Sequence, residues 1–410
     1  MVCEDGRGEE ETARQQQRKE KLVDRRNGCP GTDLYRGDLP EGCSMKKGIC
    51  SMMTVALCVM LLTACGNGSG QSGNASTLNP TEGSSTADTE SKIETEADIE
   101  TQSDIETENS NVEQNESEYT YLRSSTVGDV ISDPCFEDFG RLLFPVDRSV
   151  SENMTLEEIS SGSVYVWYNY IDPDKTVEII QSLHDHAAAG EQVFYDIYSE
   201  EEKEVDPSKE DTGLFFFRGN PGEKFAVVNA GGGFMYVGAM QDSFPHALEL
   251  SKMGYNGFAL IYRPDDPYTD LAQAIGFIYD HAQELGVDPE NYSLWGGSAG
   301  ARMAATLGNG DALPYFGRDD VPQAAAVIMQ YTGYSTVSEK DAPTYVCVGT
   351  SDGIASWRTM QSRLQSLEAL GIPTEFHSYE GLPNGFGIGT GTIAEGWIND
   401  AAAFWEAQCE

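Results

Sequence analysis

The segment best suited to do chemistry is Gly296-Gly297-Ser298-Ala299-Gly300. It follows the apolar run Tyr292–Trp295 and leads into a stretch of helical character through Ala301, Met303 and Ala304. A serine becomes an accessible nucleophile when a strained strand-to-helix turn lifts its hydroxyl clear of the backbone, and small flanking residues let the chain pass close to itself there. The same residues would also suit a glycine-rich turn with a capping serine. Upstream, Asn229-Ala230-Gly231-Gly232-Gly233-Phe234 follows a second apolar run that starts at Phe225. Three successive glycines let backbone N–H groups converge on one point, as a developing oxyanion requires. Gly231 and Gly232, with Ala299 directly after the serine, are the expected donors. A tight turn or a phosphate loop would use such glycines too, but neither a Gly-Lys-Ser/Thr ending nor a spaced G-x-G-x-x-G is present.

These residues work only if regular elements hold them. Short apolar, β-rich runs predict strands at Gln192–Tyr198, Leu214–Arg218, Phe225–Ala230, Gly257–Tyr262, Tyr292–Trp295, Ala324–Gln330, Thr344–Gly349 and Thr374–Tyr379. The first two belong to an antiparallel edge. Amphipathic stretches predict helices at Ser243–Met253, Tyr268–Leu285, Ala299–Leu307, Ala355–Leu370 and Ile393–Glu406. This alternation calls for an α/β fold, a mostly parallel sheet with helices on both faces. Loops and chemistry then gather at the carboxyl ends of the strands. Residues 118–190 carry one clear helix, with Pro173 in its first turn and a stripe of Val177, Ile179, Ile180, Leu183 and His184. They are read as an N-terminal cover on the main domain.

With elbow, glycine loop and strand order together, the chain resembles the α/β-hydrolase fold family, in its esterase and lipase branch with a Gly-Gly-Gly-x oxyanion loop. It is similar to bacterial carbohydrate-ester and carboxylic-ester hydrolases over roughly residues 190–410. The resemblance implies the chain order serine, then acid, then histidine. Asp352 matches the acid, directly after the predicted strand Thr344–Gly349, although an aspartate there also suits a cap for the helix from Ala355. The histidine position breaks the pattern. Family members carry His-Gly-Phe-Gly after the last strand, and this chain has Asn384-Gly385-Phe386-Gly387. An amide takes no proton from a serine at neutral pH. Of the five histidines, His377 lies seven residues before Asn384 on the last strand, and His184, His186 and His281 fall on helices expected to face solvent or the cover. His246, near the start of the helix after the glycine loop, is the best of the remaining candidates for a base.

The chain has 410 residues and a formal charge of −41, which disfavours nucleic acid and anionic lipid as electrostatic partners. Residues 66–117 hold twelve acids, one base (Lys92) and no aromatic residue. Three copies of a six-residue unit begin at Lys92, Asp98 and Asp104, marking a solvated linker that cannot bury a core. Before it, Lys46-Lys47 and the apolar run Gly48–Ala64 have the layout of a signal peptide at 45–65 that ends on Leu62-Thr63-Ala64-Cys65, and a transmembrane anchor with a chance cysteine would show the same run. That ending resembles the bacterial lipobox, which implies lipidation of Cys65 and an extracytoplasmic, membrane-anchored domain. Residues 1–44 read as an upstream extension outside the native protein. Of nine cysteines, Cys135, Cys347 and Cys409 remain downstream, without disulfide or zinc spacing. No cofactor and no metal are expected. The partners expected are a small-molecule or carbohydrate ester and the membrane. The rival reading is a catalytically impaired hydrolase fold that binds an ester or glycan.

Overall fold

The computed structural model describes residues 119–409 except 162, 163 and 170. The expected extension at 1–44, the expected lipobox with Cys65 and the expected linker at 66–117 lie outside the described residues. Eight strands form one sheet in the order β1-β2-β4-β3-β5-β6-β7-β8. Their ranges are β1 Phe194–Asp196, β2 Gly213–Phe217, β3 Lys224–Asn229, β4 Asn256–Ile261, β5 Asp288–Gly297, β6 Ala326–Gln330, β7 Thr344–Gly349 and β8 Thr374–Tyr379. β2 runs antiparallel to both β1 and β4, and every other pair is parallel. This is the α/β-hydrolase fold expected from the sequence. Residues of β4, β6 and β7 are buried throughout, as strands covered on both faces must be.

Strand alternation sets the two faces apart. Trp295 of β5 packs against Trp397 and Trp405 of helix α7 (Trp397–Glu406). Its neighbour Gly296 faces the other way, onto helix α5 (Ala299–Leu307), where an added Cβ would stand 2.3 Å from the Gly300 backbone. Helix α3 (Phe244–Lys252) packs with α7 on the first face, and helix α4 (Pro267–Asp280) packs with α5 on the second. Helix α6 (Trp357–Ala369) covers β7 and β8. The helix predicted over Tyr268–Leu285 is broken at His281, where the backbone leaves helical geometry before the short turn Ala282–Leu285.

The cover shares the domain's hydrophobic core instead of making its own. Helix α1 (Pro173–Ala188) begins on an Asp172 cap and Pro173, and buries Ile179, Ile180 and Leu183. Phe139 stacks on Phe194 at 5.3 Å and meets Phe215 edge-on, so the cover closes over the β1–β2 edge. His184, expected to face solvent or the cover, is buried among Tyr121 and Phe136. Among the described residues no helix is long and apolar enough to cross a membrane.

Candidate active site

β5 hands directly to α5 at Ser298, which has φ 52° and ψ −110°. A serine gains nothing from that conformation and is held there by its surroundings. Its N–H donates to the Gln330 carbonyl at the end of β6 (3.0 Å). Gly300 is required by close approach, since a Cβ there would lie 1.9 Å from the Asn229 carbonyl oxygen. Among the described residues six non-glycines have positive φ, and four of them are Trp167, Phe234, Ser298 and Tyr331. All four lie at this end of the sheet or on the segments folded over it. Strain of this kind persists only where neighbours over-determine it.

The glycine loop follows β3. Gly232 and Gly233 have φ of 126° and 65°, conformations open to glycine. Gly231 does not serve as expected. Its N–H donates to the Asp242 carboxylate at 2.7 Å and is withdrawn from the pocket. Among the described residues the Gly232 and Ala299 N–H groups have no acceptor. They are the two expected oxyanion donors still free to act.

Asp242 ends the short helix α2 (Ala239–Asp242) and is fully buried. Besides Gly231, it accepts from Tyr168 Oη at 2.9 Å and Tyr331 Oη at 2.5 Å. Burial and the carboxylate itself push both phenols well above their ordinary range, which keeps them protonated as donors. A Cβ on Gly297 would lie 2.3 Å from the same carboxylate, so Asp242 sits against the elbow as well. One side chain thus ties together the glycine loop, the elbow, the loop after β6 and the cover.

Asp352 and Asn384 meet across the opposite wall. Asp352 Oδ1 accepts the N–H groups of Ile354 and Ala355, each at 2.7 Å, while Oδ2 accepts from Asn384 Nδ2 at 2.9 Å. The capping and the acid-side geometries are therefore present together, one on each oxygen. Asn384 Nδ2 also approaches the Tyr331 carbonyl at 3.4 Å. Ser298, Gly232, Gly233 and Asn384 line one pocket of about 230 Å³ with Trp167, Tyr168 and Ile354. A larger hollow of about 810 Å³ lies beside the cover, between Cys135 and Glu210, with no serine on its walls.

Among the described residues no histidine lines the Ser298 pocket. His246 is buried, with Nε2 2.8 Å from Gln330 Oε1 and Nδ1 without a partner among the described residues. Burial holds its imidazole below the ordinary 6.5. His377 pairs with Glu375, His186 with Glu191, and His281 Nδ1 lies 2.8 Å from the Phe277 carbonyl. One group among the described residues could hold a metal ion: Asp133, Cys135 and His184, with donor atoms within 4.8 Å of one another. None of the three lines the Ser298 pocket. Cys347 is buried, and burial raises its thiol well above the ordinary range.

Trp167, Tyr168, Asp242 and Tyr331 belong to the site although no motif announced them.

A family model described as BD-FAE matches residues 223–319, which include the glycine loop and the elbow but neither Asp352 nor Asn384. No curated protein matches the chain. An acetyl ester-xyloside bifunctional hydrolase from Caldicellulosiruptor lactoaceticus is similar at 20% identity and TM-score 0.45, over 52% of this chain and 95% of that one. A thermophilic esterase from Thermogutta terrifontis, with propionate bound, is similar at 22% identity and TM-score 0.42, over 48% of this chain and 89% of that one. An α/β hydrolase from a Medee basin deep-sea metagenome library is similar at 19% identity and TM-score 0.41, over 48% and 93%.

Proposed function

We propose that this protein is a serine hydrolase of carboxylic esters, with small acyl or carbohydrate-linked substrates, displayed outside the cytoplasm on a lipidated Cys65. The observation that carries the reading is the strained Ser298 in a pocket that it lines with Gly232, whose N–H, like that of Ala299 next to the serine, has no acceptor among the described residues. Ser298 Oγ attacks the ester carbon, and the carbonyl electrons move onto an oxygen held by the two N–H groups. Collapse expels the alcohol and leaves an acyl-serine, which water then cleaves. Asn384 stands where a base would take the serine proton. Its amide donates to Asp352 and accepts no proton, so the proton leaves to water and turnover is slow.

The same amide supports the second reading, a hydrolase fold that binds an ester without turning it over. Hydrolysis of p-nitrophenyl acetate by the wild type, Ser298→Ala and Asn384→His separates the two. Slow, Ser298-dependent turnover supports the esterase. No Ser298-dependent turnover in either wild type or Asn384→His would leave the binding protein. The anchor is tested separately: Cys65→Ser should abolish palmitate labelling, and unchanged labelling would remove the lipid anchor.

A further inference from the structure

We propose that Trp167 is the platform on which a sugar ring carrying the scissile ester stacks, a role that deepens the esterase reading. Trp167 belongs to the cover and lies outside the residues matched by the family model. Its backbone is strained, with φ 75°. The residues around it are fastened on both sides. Tyr236 Oη donates to the Val166 carbonyl at 2.7 Å, and Tyr168 donates to Asp242. The Asn169 N–H and Nδ2 reach the carbonyls of Gly385 (2.9 Å) and Asn384 (2.7 Å). The segment therefore spans the pocket from the glycine loop to the residue-384 loop, and these contacts hold the strain in place.

The indole itself is left open. It is 41% exposed, whereas Trp295, Trp397 and Trp405 are almost wholly buried. One face is backed by Tyr236, with centroids 6.2 Å apart and planes 25° from parallel. Gly233 passes so close that a Cβ there would stand 3.1 Å from the ring, so a larger residue would displace the platform. A backed, part-exposed ring on the same pocket as Ser298 suits a flat ligand. Sugar rings offer a face of C–H groups to the negative face of an indole and keep their hydroxyls at the wet rim. The other apolar wall is Ile354, itself 60% exposed. Two exposed apolar side chains make an open cleft, which fits a ring better than a long acyl tail needing a closed tunnel.

The test compares an acetylated methyl xyloside with vinyl acetate, which has no ring to stack. Trp167→Ala should raise KM for the glycoside by about tenfold, an ordinary worth for aromatic stacking. The rise on vinyl acetate should be about twofold, and Trp167→Phe should recover most of the loss. Equal losses on both esters would show a merely structural role and overturn the platform. A second arm needs no turnover. In Ser298→Ala, the same glycoside should quench tryptophan fluorescence saturably, and the further change Trp167→Phe should remove the quench. If wild type fails to hydrolyse either ester while that quench persists, the esterase reading falls and the platform stands. If hydrolysis proceeds and no Trp167-dependent quench is seen, the platform falls and the esterase reading stands.

Discussion

On one side of the pocket Ser298 is pressed into a strained turn and braced by a buried carboxylate, with the N–H groups of Gly232 and Ala299 lacking an acceptor among the described residues. On the other side Asp352 and a well-tied loop present an amide. The two walls share the same kind of support. Asp242 joins segments beneath Ser298, and Asn169 and Tyr331 hold the loop of Asn384. They differ in what the supported group does. The Asn384 amide satisfies the hydrogen bond to Asp352 that an imidazole N–H would make, so the fold registers no loss. Proton acceptance is invisible to that hydrogen bond. In the proposed reading, loop position is governed by backbone contacts, and catalytic competence by one side chain that the fold does not test.

The largest effect should come from removing the brace on the first wall. Asp242→Ala would leave the Gly231 N–H and two phenols without an acceptor in the interior. At roughly 1–3 kcal/mol for each orphaned group, partly relieved by relaxation, the loss should be about 3–5 kcal/mol in urea unfolding. Asp242→Asn, which still offers one oxygen, should lose less. A loss below about 1 kcal/mol for Asp242→Ala would show that the first wall stands without its carboxylate.

On the second wall, Asn384→His should raise kcat/KM on activated acetates by about tenfold or more, equivalent to about 1.4 kcal/mol of transition-state stabilisation. Asp352 Oδ2 is already placed to orient the new ring. Ser298→Ala in that background should erase the gain. If the wild type is already fast and His246→Ala abolishes it, the base lies elsewhere and the contrast between the walls disappears.

The smallest effect concerns His246, buried behind the first wall. Its folded-state pKa lies below the unfolded value of about 6.5, so the unfolded chain takes up a proton first as pH falls. This contribution is fully present above about pH 6.5 and is lost on acidification, by at most about 1.4 kcal/mol per pH unit. The melting temperature of His246→Gln should therefore fall less than that of wild type between pH 7 and 5. Parallel curves would show that His246 is not held neutral by burial.

The strand and helix pattern was legible because each element carries its own period. β7, β8 and α5 fall at the predicted bounds, and the elbow is announced by small residues between an apolar strand and a helix. Asn384 was also visible, because the residues around it match a loop whose usual occupant is known. The short helical turns of the cover and the break at His281 were not legible. They are too brief to show a period, and their ends are set by packing. The role of Asp242 was beyond any local pattern. Its partners lie 11, 74 and 89 residues away, and a carboxylate at the end of a four-residue helix looks like any surface acid. The same reasoning explains the misreading of Gly231. A glycine run shows that N–H groups are free to turn, but which one is taken by an interior acceptor depends on where the tertiary structure buries that acceptor.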